Sequence, residues 1–70
     1  MTLEEYRRMY GWSVSALARE AGLDNNTARK ALAGKAKITP TTAQSIARAI
    51  SRAAGRTILV TDIEGLNVNW

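Results

Sequence analysis

The chain has no cysteine and no histidine. The first absence excludes a disulfide framework and a thiolate metal site. The second removes the commonest general base and the commonest nitrogen ligand for a metal. Aromatic residues are few (Tyr6, Tyr10, Trp12 and Trp70), and Pro40 is the one proline. No apolar run approaches the ~20 residues that a membrane span requires. The opening MTLEEYRRMY mixes acids, bases and apolar residues, so it does not read as a signal peptide. The expectation is a cytoplasmic protein with no catalytic residues, no metal, no cofactor and no membrane partner. It is not expected to be an enzyme. Asp62 and Glu64 are the only close acids outside helix starts, and they read as part of a capped turn.

Acids are also missing from one long stretch. The six are Glu4, Glu5, Glu20, Asp24, Asp62 and Glu64, so none lies between Asn25 and Thr61. That window holds Arg29, Lys30, Lys35, Lys37, Arg48, Arg52 and Arg56, and the whole chain carries a net charge of +4. A block of one sign in a folded domain favours a polyanion as partner. The competing reading is a solvated basic face.

What remains is alanine-rich and helical in pattern. Hydrophobic residues make up 46% of the 70 residues, enough for one small domain. That length leaves no room for a separate sensor or catalytic unit. Thr2 is placed to cap a first helix with Glu4 and Glu5 in its first turn, where the helix dipole favours acids. Leu3, Tyr6 and Tyr10, with Met9 beside them, give it an apolar face, and Gly11 ends it. Trp12 precedes the cap Ser13 of a second helix and is a candidate hydrophobic staple. Val14, Leu17, Ala18 and Ala21 form that helix's stripe, and Gly22 closes it.

Asp24 caps a third helix predicted over residues 25–33, with Ala28, Ala31 and Leu32 inward and Gly34 as its stop. Ile38 is expected in the core. Thr39 followed by Pro40 is a strong start signal for a fourth helix, which carries Ala43, Ile46, Ala47 and Ile50 on one face and ends at Gly55. Arg48 and Arg52 share another face of it, a repulsive pair in isolation. In the tail, Thr57 to Val60 could form a short strand, and Thr61 to Glu64 match a capping box that could open one helical turn. The apolar tail pairs with a second copy, folds back over the open end of the core, or does both with Val68 and Trp70 exposed for a partner. The expected division is residues 1–56 as a DNA-binding unit and 57–70 as a core-capping or dimerising tail.

The candidate chemistry lies in the second and third helices. A helix that opens with Asn25, Asn26 and Thr27, and then carries Arg29 and Lys30, suits base edges at its start and phosphates along its flank. Asparagine can bond adenine at N6 and N7 together. The alternative is that both asparagines serve the helix start alone. Thr27 would meet a phosphate or pack. One of Arg29 and Lys30 could reach guanine and the other a phosphate. Ser13 and Ser15 stand at a helix N-terminus, where free N–H groups and the dipole suit an anion. Lys35 and Lys37 come next as loop cations over the backbone, and Arg7 and Arg8 are weaker candidates because Glu4 and Glu5 stand near them.

Residues 2 to 54 resemble the helix-turn-helix module of the lambda-repressor-like superfamily, the phage repressor and Cro type. The matching residues are Leu17-Ala18, Ala21-Gly22-Leu23, Thr27, and Gly34 before a basic loop. The run LAREAGLDNNTARKALAGK with ITPTT is also similar to the headpiece of the Lac-repressor family, but here a helix precedes it and no sugar-sensing domain comes after it. The resemblance implies an all-α, four- to five-helix fold, with or without a short C-terminal strand. It implies a sequence-specific DNA-binding regulator, Cro-like, reading a palindromic operator as a homodimer through helix 25–33. Where that family often has glutamine this chain has Val14, and Ala33 stands where a polar contact residue is common. Two other readings stay open: a protein-interaction module such as an antitoxin or adaptor, with its partner on the apolar tail, and an excisionase-like architectural protein.

Overall fold

The computed structural model describes all residues from Met1 to Trp70. Four helices run in the order α1 (Leu3–Met9), α2 (Val14–Ala21), α3 (Asn25–Ala33) and α4 (Pro40–Ala54), and a single 3-10 turn comes last at Val60–Asp62. Each α-helix starts on a side-chain cap. Thr2, Ser13, Asp24 and Thr39 accept from the backbone N–H three residues on, at 3.1, 3.0, 2.7 and 3.1 Å. Each such cap contributes about 1 kcal/mol, a large share for helices this short. Glu5 completes a capping box by accepting from the Thr2 N–H at 2.8 Å. The α2, α3 and α4 helices end on Gly22, Gly34 and Gly55, all in the left-handed region.

One core gathers all four helices and the tail. Its members include Leu3 and Tyr6 of α1, Leu17, Ala18 and Ala21 of α2, Ala28 and Ala31 of α3, and Ala43, Ile46, Ala47, Ala49 and Ile50 of α4. Leu17, Ile46 and Ile50 are the largest side chains wholly out of solvent. Ala28 and Ala31 of α3 and the predicted face of α4 are therefore inward, with Leu32 half-buried against the core. Ile38, in the loop between those helices, is buried. Met9 is not part of the α1 face; its side chain is exposed. Trp12 packs on Tyr10 with ring centroids 5.3 Å apart, and Tyr10 stacks on Tyr6 at 6.4 Å. The indole thus fastens the α1–α2 link.

The tail departs from the expected strand. Thr57 to Leu59 run without ladder pairing, and Val60 already belongs to the 3-10 turn. The turn starts one residue before the Thr61–Glu64 segment that looked like its capping box and ends inside it, at Asp62. Asp62 stands at its end and reaches back to accept from the Leu59 N–H at 3.0 Å. Strand formation needs a partner edge, and an otherwise helical chain offers none. The tail instead buries Ile58 and Ile63. The Ser51 hydroxyl, on α4, accepts from the Ile58 N–H at 2.8 Å and donates to the Ala47 carbonyl at 2.7 Å. Two isolated parallel bridges, Thr2 with Glu64 and Ile38 with Val68, fasten the rest. Val68 is therefore half-buried against the core and is not free for a partner, whereas Trp70 is 76% exposed.

Glu4 links α1 to the loop after it. Its carboxylate accepts from Arg7 Nε at 2.9 Å and from Arg8 Nε at 3.1 Å, and Arg7 Nη1 donates to the Trp12 carbonyl at 2.7 Å. The Arg7 hydrogen bond, with the charges of Arg7 and Arg8, lowers the Glu4 carboxyl from an ordinary 4.5 to about 2. A carboxyl lowered by folding stabilises the fold above its ordinary value and loses that contribution as pH falls through its folded value. Thermal melts taken from about pH 5 down to about pH 2 should therefore show a shallower loss of stability for Glu4→Gln than for the parent chain. Parallel curves would mean that the Glu4–Arg7 pair does not couple to folding.

Candidate nucleic-acid interface

The starts of α2 and α3 come together on the surface. Asn25, the first residue of α3, donates through Nδ2 to Ser15 Oγ at 3.2 Å. That contact spans the Gly22 turn and brings the exposed residues Ser13, Ser15, Asn25 and Asn26 to one region. The turn is tight because Gly22 adopts φ +69° and ψ 34°, and the Leu23 N–H then closes onto the Ala18 carbonyl at 2.7 Å. A side chain at that φ would be strained. Leu23 packs against the core and fixes where α3 begins.

Asp24 makes the cap, so neither asparagine is needed for it. Its carboxyl is lowered by the Thr27 hydroxyl, then by the Thr27 N–H, with Lys30 adding attraction. Thr27 is half-buried and engaged with this cap. The asparagine amides keep free groups. Asn25 Oδ1 has no partner, and Asn26 accepts from Arg29 Nη1 through Oδ1 at a long 3.4 Å, leaving Nδ2 open. Arg29 and Lys30 are exposed on the next turn, and Ala33 is exposed at the helix end. Lys35 and Lys37 are exposed in the loop beyond it.

None of the seven cations between Asn25 and Thr61 has a carboxylate within ion-pair distance; the ion pairs of this chain use Glu4 and Glu64. The seven do not form one patch, however. Arg48 and Arg52 line a cleft of about 290 Å³ with Arg19 at the C-terminal end of α2, the end opposite Ser13 and Ser15. There Arg52 Nη2 donates to the Glu20 carbonyl at 2.6 Å, a favourable place for a cation because helix C-termini are negative. Arg7 and Arg8 both donate to Glu4 within α1.

The family model for helix-turn-helix proteins matches residues 3–52. The chain belongs to this family. It is of the lambda-repressor-like kind, and its four helices without a sheet are the matching fold. No curated protein and no solved structure matches it. The protein is accordingly a DNA-binding transcriptional regulator in the general sense. No helix is long and apolar enough to cross a membrane.

One contact region escaped sequence reasoning. The end of the tail lies beside the loop after α3, where the Ile38 N–H donates to the Asn67 carbonyl and the Asn69 N–H donates to the Ile38 carbonyl, both at 2.8 Å. No local signal marks this pairing, since Asn67 and Asn69 look like ordinary polar tail residues. A first test of the α3 flank is its salt response. Replacing Arg29 and Lys30 together by Ala should lower the log–log salt slope of DNA binding by about 1 to 2, at about 0.9 per phosphate contact. Titrations in stepped salt check it, and an unchanged slope would remove this flank from the interface.

Proposed function

We propose that this regulator is a sequence-specific repressor of the phage or mobile-element type, Cro-like, that binds a palindromic operator as a homodimer and acts in the cytoplasm by occluding a promoter. The observation that carries the reading is the start of α3. Asn25 and Asn26 are exposed there beyond a cap that does not use them, with Asn25 Oδ1 and Asn26 Nδ2 unpaired and with Ser15 alongside. In this reading the two asparagines address adenine edges in the major groove. Ser13 and Ser15 receive a phosphate at the start of α2, Arg29 and Lys30 divide base and phosphate contacts, and Thr27 contributes from the half-buried side. Lys35 and Lys37 ride over the backbone.

A dimer is expected from size. A nine-residue helix covers one half-site of about four to five base pairs, too little for a useful specificity ratio on its own. Two copies related by a two-fold axis double the readout and require a palindrome. The tail supplies exposed apolar groups for the contact, with Leu59 58% and Trp70 76% exposed. The same indole favours a second reading, in which the tail recruits a different protein and the chain serves as an adaptor. The excisionase-like reading shares the basic face but needs no symmetry.

Selection of binding sites from random duplex DNA at near-physiological salt separates these. A palindrome is the expected result. Asymmetric or directly repeated sites would favour the architectural reading, and no enrichment by the folded protein would favour the adaptor. On the selected site, Asn26→Ala should cost about 1–3 kcal/mol of specific binding and leave nonspecific binding nearly unchanged. Equal losses on both would reduce Asn26 to a helix-start residue.

A further inference from the structure

The loop after α3 carries two exposed lysines yet has little to hold it. Lys35, Ala36 and Lys37 make no backbone–backbone hydrogen bond. The Gly34 stop frees the chain from the helix, and a left-handed glycine does not dictate the path of the next residues. Support comes from residues 65–70, which lie outside the family match. The Asn67 carbonyl and the Asn69 N–H bracket Ile38 on its N–H and carbonyl, both at 2.8 Å. Asn67 Nδ2 donates to the Lys35 carbonyl at 3.2 Å. At the other end of the loop the Gly65 carbonyl presses so closely on Gly34 that a Cβ there would stand 2.8 Å from its oxygen. Three hydrogen bonds and one close backbone approach thus bear on both ends and one carbonyl of a basic loop, all from one distant segment.

We infer that the C-terminal segment from Gly65 to Asn69 is the positioning element of the nucleic-acid interface, holding Lys35 and Lys37 in place for the phosphate backbone of duplex DNA. The inference rests on the reading of those lysines as phosphate contacts. Long cations bind phosphate with less loss of freedom when their backbone is already fixed, so untying the tail weakens binding without removing a charge. Asn67 is the central side chain of this brace, and the Gly34–Gly65 approach is its second anchor.

Two variants loosen the brace differently. Asn67→Ala deletes one hydrogen bond and leaves the core intact. Gly34→Ala drives a methyl into the tail, and Gly55→Ala is its control. Gly34 and Gly55 have φ of +69° and +70°, but nothing lies within 4 Å of a Cβ at Gly55. Both glycine variants carry the same backbone strain, and only one displaces the tail.

The readouts are the affinity at fixed salt and the salt slope of binding to mixed-sequence duplex DNA, with thermal melts to confirm folding. Lys35→Ala with Lys37→Ala should lower the slope by about 1.8, at about 0.9 per contact. Asn67→Ala and Gly34→Ala should each weaken binding at fixed salt by about two- to ten-fold with the slope nearly unchanged, and Gly55→Ala should leave the affinity unchanged. In the chain lacking both lysines, Asn67→Ala should have no further effect. If removing the lysines leaves the slope unchanged, the phosphate reading of the loop fails. If the lysines matter but the brace variants bind like the parent chain, the inference alone is overturned. Losses from Asn67→Ala that add to those of the lysines also overturn it, because the tail would then meet DNA on its own account.

Discussion

Close approach between helices is the constraint on which everything else depends, and alanine makes it possible. Ala28 and Ala31 are the buried side of α3, and they meet a core to which α2 contributes Ala18 and Ala21 and α4 contributes Ala43, Ala47 and Ala49. Small side chains let helix axes come to the near end of the usual separation of about 8–10 Å. A nine-residue helix is too short to persist in water by itself. Its existence, and so the exposure of Asn25 and Asn26, comes from packing. The cost of alanine is area, because each buries little apolar surface. Leu17, Ile46 and Ile50 supply the bulk in the middle of the core, and Ile58 and Ile63 of the tail complete it.

The placement of charge obeys the same constraint of size. Four of the six acids sit where helix starts or a short turn use them: Glu4 and Glu5 on α1, Asp24 before α3 and Asp62 at the 3-10 turn. Each of these last three accepts a backbone N–H, so their charge is engaged locally. The cations of α3 and its loop receive no such partners. An unpaired surface cation costs little in water, and a polyanion would release its own counterions on meeting several of them. The arginines of α4 are different. Arg52 is committed to the end of α2, so sequence proximity in the acid-free window overstated how many charges share one face.

The helices, and the exposure of Asn25, Asn26, Arg29 and Lys30 on α3, were largely legible because their signals are local. An Asp or Ser before an apolar period, a glycine after it, and Thr39-Pro40 each specify a boundary within a few residues, and all four helices obey them. Positions such as Ala28, Ala31 and Ile46 are set by the 3.6-residue period alone. The tail was not legible in the same way. Thr57 to Val60 have the composition of a strand, but pairing is decided by whether a partner edge exists, which is a property of the whole fold. The pairing of Val68 with Ile38 spans most of the second half of the chain and leaves no periodic trace. Arg7 is a third case: only the structure reveals that it bridges Glu4 to the Trp12 carbonyl.

The tail therefore does two things with one set of contacts, and that links stability to geometry. Ile58 and Ile63 enter the core, Ser51 fastens Ile58 to α4, and the same segment continues to the bridge at Ile38. Ile38 itself is buried and lies at the end of the Lys35–Lys37 loop. A change that detaches the tail from α4 removes apolar burial and frees the loop in the same event. Local opening of a segment with few buried groups is easier than global unfolding. The segment from Gly65 onward is of that kind, with Leu66, Asn67 and Val68 only half-buried. The basic loop beside α3 should therefore loosen before the helices do, while α3 stays fixed by Ala28 and Ala31. The start of α3 and the Lys35–Lys37 loop thus depend on different parts of the core, although they stand only a few residues apart in the chain, and in the proposed function this would separate specific readout from general attraction.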